Sequence, residues 1–288
     1  MMGVIDYPRG YQECCMTAEQ LAHFYSHPHD NSIIEAPIHG YVVIKDSEGT
    51  MVDVRKWDGS SFVKLKFNPI SNGYMGTIKP RNLEQRMAFD MLQDDESIMK
   101  VLTGCFGSGK DLLMIGTALD CIVNKGKFDK LIWVRNNVGV KDAKEVGFLP
   151  GTLDEKLEPW ACILGDHLGG MDQVRALIQM ERIELRHLGY MRGRDVHNAI
   201  ILCTEAENLT AEHVQLLMGR VASGSQLWMN GDYRQVDAKV FHGSNNGLIK
   251  AVKRLTGQKE FAHVHLVKSE RSSLAQLADA LDDTYEKE

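Results

Sequence analysis

Glycines stand at positions 104, 107 and 109 of the run Gly104-Cys105-Phe106-Gly107-Ser108-Gly109-Lys110-Asp111, directly after the apolar stretch Ser97-Ile-Met-Lys-Val-Leu-Thr103. A buried strand that ends in so flexible a turn and restarts as a helix constrains this chain more than any other feature. The glycines let backbone N–H groups curl round a phosphate chain, the helix directs its positive end at it, and Lys110 adds a point charge. The eighth position departs from the pattern. A Ser or Thr there would meet Mg²⁺ through its hydroxyl, and this chain supplies the carboxylate of Asp111 instead.

Beyond Ser97 the pattern alternates. Strands are expected at Met99–Thr103, Leu131–Arg135, Arg182–Leu188, Ala199–Cys203, Gln226–Asn230 and His263–Val267. Helices are expected at Lys110–Asn124, Leu153–His167, Met171–Gln179, Ala211–Arg220, Leu248–Leu255 and Ser272–Leu281. Continuously apolar strands alternating with helices imply an α/β fold, a parallel sheet covered on both faces with ligands at the carboxyl ends of its strands. Ahead of it, Tyr41–Lys45, Met51–Trp57 and Ser61–Phe67, separated by Asp46-Ser-Glu-Gly49 and Asp58-Gly59, read as a small antiparallel β meander. Residues 1–37 are expected to form an arm with one short helix from Thr17, where Thr17 and Gln20 have capping-box spacing. The meander occupies 38–68 and the phosphate-loop domain 69–288, entered through the helix Asn82–Leu92.

Composition sets bounds. With 288 residues, 43% hydrophobic and 25% charged, the chain can bury a full core. No run approaches the roughly 18 apolar residues of a membrane span, and the start lacks a cationic then apolar leader, so a cytoplasmic protein is expected. Six cysteines without a CxxC pair read as reduced thiols. The His23, His27, His29 and Asp30 group, interrupted by Pro28, reads as a solvated segment. A net charge of −6 gives no electrostatic argument for a polymer partner.

A nucleoside triphosphatase needs acids at the end of a neighbouring strand, one for the metal and one for water. Ile200-Ile-Leu-Cys-Thr204-Glu205 supplies Glu205 in the general-base position and Thr204 where an Asp is expected. Trp228-Met-Asn-Gly231-Asp232-Tyr-Arg-Gln235 runs from a strand into a polar turn where a γ-phosphate sensor would sit.

These elements resemble the PhoH-like ATPases, whose core is related to the superfamily-one helicase motor. Further matches are Asn82-Leu-Glu-Gln85, Gly147-Phe-Leu-Pro-Gly151, Glu155-Lys156-Leu-Glu-Pro-Trp160, Tyr190-Met-Arg-Gly-Arg194, Ala206-Glu-Asn-Leu-Thr210 and Glu270-Arg271-Ser272. The resemblance covers roughly residues 38–283. It implies a P-loop NTPase fold, ATP and Mg²⁺ as ligands, and RNA or single-stranded nucleic acid as partner. It also implies a homo-oligomer, with a hexameric ring as one form. The meander resembles the connector of members that carry a PIN-type ribonuclease domain, and that domain is not expected here. Residue by residue, the resemblance has Gln85 reading adenine, Gly104 to Asp111 holding the phosphates, and Lys110 binding the β/γ-phosphates. Glu205 is then the catalytic acid, Asp232 and Gln235 the sensor turn, and Arg220 and Arg271 either arginines that could reach a γ-phosphate, in cis or across a subunit boundary, or else members of surface ion pairs. Lys141, Lys144 and Lys156 would be nucleic-acid contacts or else a solvated helix face. Trp133 and Trp228 are expected in the core.

Three positions depart from the family: Asp111 for Thr, Thr204 for Asp and Glu207 for Gln. The first two are reciprocal, so one carboxylate and one hydroxyl would still face the metal from Asp111 and Thr204, giving a working ATPase with an exchanged metal site. Against this, two anions about 4 Å apart repel by about 4 kcal/mol at an effective dielectric of 20, which suits a degenerate nucleotide-binding scaffold or regulatory subunit. A nucleic-acid module without ATP use would leave the loop glycines unexplained.

Overall fold

The computed structural model describes residues 8–136 and 153–270. In chain order these form β1 (Tyr11–Cys15), α1 (Ala18–Ser26), β2 (Tyr41–Lys45), β3 (Met51–Trp57), β4 (Phe62–Lys64), β5 (Ile70–Asn72), β6 (Gly76–Ile78) and α2 (Leu83–Gln93). The remainder comprises β7 (Met99–Gly104), α3 (Lys110–Leu119), β8 (Lys130–Arg135), α4 (Leu153–Leu168), α5 (Met171–Gln179), β9 (Ile183–His187), β10 (Ala199–Thr204), α6 (Ala211–Met218), β11 (Gln226–Gly231), α7 (Gly247–Leu255) and β12 (Phe261–Leu266). The main sheet has the order β12-β7-β11-β10-β8-β9, with every neighbouring pair parallel.

Its strands read as unbroken apolar runs because both faces are covered. Alternate residues feed two cores. Val101, Ile132, Ile201, Leu227 and Met229 meet Val214 and Leu217 of α6 and Leu248 and Val252 of α7. Leu102, Trp133, Leu202 and Trp228 meet Phe89 of α2, Leu113 of α3, Leu164 of α4 and Val174 of α5. Both tryptophans are therefore core residues, as their strand positions imply. The expected helix Lys110–Asn124 is α-helical to Leu119 and then widens to a π-helical turn over Asp120–Asn124. The stretch between the meander and α2 contains the β5–β6 hairpin, whose Ile78 packs on Gly116 of α3. The expected helix Ser272–Leu281 lies outside the described residues.

The expected arm is corrected. β1 pairs in parallel with β2, Tyr11 opposite Tyr41, so the meander is a four-stranded mixed sheet of order β1-β2-β3-β4. Phe24 of α1, started by the capping box of Thr17 and Gln20, packs on Phe62, which packs on Trp57, with ring centroids 5.0 and 4.8 Å apart. Met16, Ile34 and Ala36 join that core. Residues 1–37 and 38–68 are thus not separate units where the structure describes them. A five-residue strand joined to its parallel neighbour through a helix carries no hairpin turn to announce it.

The small sheet is fastened to the large one through α2. Asp90 accepts from Tyr41 Oη at 2.8 Å and from the Lys66 amide at 2.5 Å, with Lys56 Nζ 3.3 Å away. Lys56 also reaches Asp94 at 3.2 Å, and His39 Nδ1 lies 3.5 Å from the same carboxylate. Beneath them, fully buried Lys100 donates to the carbonyls of Leu92 and Asp94, and burial lowers its pKa to about 8. Asp90→Ala strips partners from a buried hydroxyl, an amide and an ammonium at once. It is expected to lower unfolding stability by about 3 kcal/mol in urea titrations, whereas a loss under about 1 kcal/mol would mean the junction contributes little.

Candidate functional site

The phosphate-loop motif lies where the parallel sheet ends. Gly104 passes so close to β12 that a Cβ there would sit 2.4 Å from the Leu266 carbonyl, and its φ is 154°. Gly109, at φ 92°, is the left-handed N-cap of α3, and no side chain among the described residues caps that helix. Its first-turn N–H groups are thereby directed at the cleft. Lys110 Nζ donates to the carbonyls of Gly104 at 2.7 Å and Cys105 at 2.9 Å. Ser108 Oγ also donates to the Cys105 carbonyl, at 2.8 Å, so Cys105 and Ser108 are buried supports of the loop while Phe106 is exposed at its tip.

Two elements brace the loop from outside. Gln85, on the first turn of α2, donates through Nε2 to the Ser108 carbonyl at 3.0 Å and accepts from the Arg81 amide at 2.9 Å. Its amide keeps one N–H and one lone pair for a ligand. Past β12, the Glu270 amide donates to the Gly107 carbonyl at 2.9 Å, and its carboxylate accepts from Asn82, the N-cap of α2, at 2.7 Å.

A cleft of about 920 Å³ opens over this assembly, lined among others by Gln85, Phe106, Lys110, Asp111, Thr204, Glu205, Asp232, Gln235 and Glu270. Asp111 accepts from Asn230 Nδ2 at 2.8 Å. The Thr204 hydroxyl is buried with no hydrogen-bond partner among the described residues. A carboxylate and an orphaned hydroxyl on the walls of one cleft suit Mg²⁺, which takes one or two protein oxygens and completes its shell from phosphate and water. Among the described residues no three His, Cys, Asp or Glu side chains gather into a metal site of their own.

Glu205 directly follows β10 in the left-handed region, φ 54°, a strained conformation for a residue with a side chain. Arg135, from the end of β8, grips both of its carboxylate oxygens. Asp232 is held by its own turn, accepting from Arg234 N at 3.1 Å and Gln235 Nε2 at 3.0 Å.

One expected residue, Arg220, is elsewhere. Arg220 sits before β11 at the amino-terminal ends of the strands, where its guanidinium donates to the Arg194 carbonyl at 3.4 Å and lies 3.8 Å from Asp195. It does not reach the cleft of its own chain, because strands of six residues separate the two ends by roughly 20 Å. Arg271 lies outside the described residues, as do Lys141, Lys144, the side chain of Lys156 and the Gly147–Gly151 segment.

The structure adds Arg135, Asn230 and Glu207, which sequence reasoning did not assign to the site. Glu207 carried a signal, as a departure from the family pattern. Only 4% exposed, it accepts from the Asp232 amide at 3.1 Å. Burial, reinforced by the charge of Glu205, raises its pKa to about 8, so at neutral pH it is an uncharged acid that can donate as well as accept, as a glutamine does.

Residues 77–285 match the family described as PhoH-like protein. Protein PhoH2 of Bacillus subtilis (strain 168) is 32% identical over 286 residues, 93% of this chain and 63% of its own length. Protein PhoH2 of Thermobispora bispora is 31% identical over 69% of this chain and 46% of its own length. A PhoH-like protein of Mycobacterium tuberculosis (strain ATCC 25618 / H37Rv) is 33% identical over 61% of this chain and 49% of its length. The chain thus spans about half to two thirds of these relatives. Among solved structures, the Sulfolobus solfataricus SWI2/SNF2 ATPase core in complex with dsDNA is 12% identical over 70% of this chain and 47% of that chain, with a TM-score of 0.35, too slight a likeness to argue from.

Because folding raises the Glu207 pKa, its neutral form stabilises the fold fully below its ordinary value of 4.5, and that contribution is lost as the pH climbs to about 8. Glu207→Gln is therefore expected to raise the melting temperature at pH 8.5, with the gain shrinking toward pH 5. An equal gain at both pH values would mean that Glu207 does not titrate in this way.

Proposed function

The chain belongs to the PhoH-like family, and from that premise we propose that it is a Mg²⁺-dependent ATPase acting on or with RNA or another single-stranded nucleic acid. The observation that carries the reading is the shared cleft, lined by Lys110 at the uncapped start of α3 together with Thr204, Glu205, Asp232 and Gln235.

In this reading the α3 amides and the loop bind the phosphate chain, and Lys110 leaves the Gly104 and Cys105 carbonyls for the β- and γ-phosphates. Gln85 uses its remaining N–H and lone pair on adenine while bracing the loop. Asp111 and Thr204 hold Mg²⁺, which when bound neutralises developing phosphate charge. Glu205, oriented by Arg135, takes the proton of the attacking water, and the Asp232–Gln235 turn contacts the γ-phosphate end. Arg271 supplies a further cation. The family resemblance supports the nucleic-acid partner, a cytoplasmic location, an oligomer in which Arg220 could serve a neighbour's cleft, and residues from 69 onward as the ATPase domain.

A second reading, a nucleotide-binding scaffold without turnover, is favoured by one contact. The two-pronged grip of Arg135 occupies both oxygens of the residue that should activate water.

Steady-state ATP hydrolysis with Mg²⁺ and with Mn²⁺, with and without single-stranded RNA, separates the two readings. Turnover that disappears in Lys110→Ala is expected, and none above that control would leave the scaffold. Asp111→Thr alone is expected to lower Mg²⁺-dependent turnover by about tenfold or more, an effect of ~1.4 kcal/mol. Adding Thr204→Asp should restore it. Equal rates in all four proteins of that cycle would refute the exchanged metal site.

A further inference from the structure

Beside the cleft, behind the phosphate loop, three buried side chains and the half-buried His265 form a polar chain that none of the roles above uses. β12 carries His263 and His265 on one side of the strand, and β7 places Thr103 between them. Thr103 Oγ1 lies 2.8 Å from His263 Nε2 and 2.8 Å from His265 Nδ1. Tyr233 Oη lies 3.3 Å from the same His263 Nε2, and the Tyr233 ring stacks on His265 with centroids 5.8 Å apart. Thr103, His263 and Tyr233 are all buried. Burial lowers the pKa of His263 to about 3 and that of His265 to about 4, so both rings are neutral at physiological pH.

The order of protons in this chain follows from what each atom can offer. A neutral imidazole has one N–H and one lone pair, and a threonine hydroxyl has one proton. If Thr103 donated to His263 Nε2, His263 would carry its proton on Nδ1, which has no hydrogen-bond partner among the described residues. A buried donor without an acceptor is costly. The favoured order has His263 Nε2–H donating to Thr103 and Thr103 donating to His265 Nδ1. The His263 N–H then faces two oxygens, Thr103 at the shorter distance and Tyr233 at the longer.

The two oxygens belong to different parts of the cleft. Thr103 immediately precedes Gly104, the first residue of the phosphate loop, and Tyr233 immediately follows Asp232 of the sensor turn. Apolar side chains of similar volume would pack this sheet edge without the desolvation that a polar chain carries.

We propose that Thr103, His263 and Tyr233 are positioning residues that hold the Asp232 turn and the root of the phosphate loop in one register. Contacts to a γ-phosphate at the turn and to the α/β-phosphates at the loop are then made together. The inference rests on the ATP-binding reading. It differs from a structural role in predicting that the variants lose the response to the third phosphate while keeping the grip on the first two.

The test compares the full-length wild type with Thr103→Val, Thr103→Ser and Tyr233→Phe. Read for each are kcat and KM for ATP, the affinities of fluorescent ADP and of a fluorescent non-hydrolysable ATP analogue, and the melting temperature. Thr103→Val and Tyr233→Phe are expected to lower kcat by about tenfold and to abolish the preference for the triphosphate, with ADP affinity within about twofold of wild type. Thr103→Ser, which keeps the hydroxyl, should restore both. A Thr103→Val protein with wild-type kcat and wild-type preference overturns the proposal. So does a Thr103→Ser protein as impaired as Thr103→Val, or a loss of ADP affinity that tracks the melting temperature. A wild type that hydrolyses nothing refutes the ATPase reading alone, and the positioning role is then decided by the preference for triphosphate over diphosphate. A wild type that binds both nucleotides equally overturns it.

Discussion

All six strands of the main sheet run in one direction, and the site exists because of that constraint. Parallel pairing brings Gly104, Thr204, Gly231 and Leu266 out at one edge, although they lie far apart in sequence. The glycine-rich loop, the acids after β10 and the Asp232 turn are then neighbours without any local sequence relation. The same constraint sends Arg220 to the opposite edge, beside Arg194 and Asp195. A residue's position before or after its strand thus decides whether it can reach the cleft of its own chain.

Much of this was legible in the residues, for identifiable physical reasons. The strands Tyr41–Lys45 and Met51–Trp57 and the helix Met171–Gln179 fall where apolar periodicity and turn residues place them. The phosphate loop was readable because its glycines serve local backbone geometry. The arm was misread because β1 is a strand only through its partner: alone, Tyr11–Cys15 shows neither alternation nor a turn. The β5–β6 hairpin escaped for a similar reason, since its three-residue strands are held by packing on α3 rather than by their own pattern.

The site was legible in part. Asp111, Thr204, Glu205, Asp232 and Gln235 share one cleft, and Gln85 braces the loop as well as facing that cleft. What sequence could not supply was the partner of each group. The grip of Arg135 on Glu205, the Asn230 contact to Asp111 and the burial that neutralises Glu207 depend on strands met only in three dimensions. The Glu207 environment also explains how an acid can replace an amide: once desolvated, a carboxylic acid offers much the same donor and acceptor.

β7 lies between β11 and β12, and Thr103 meets His263 across 160 residues of chain. The strand that launches the phosphate loop is therefore made early and finds its neighbours late. Loop closure over such spans slows folding and raises contact order. During synthesis at about 5–20 residues per second, the β7 edges wait unpaired for the order of ten seconds or more. In the nascent chain the part that defines the nucleotide site thus acquires its shape late, and its early strand needs protection from aggregation until then.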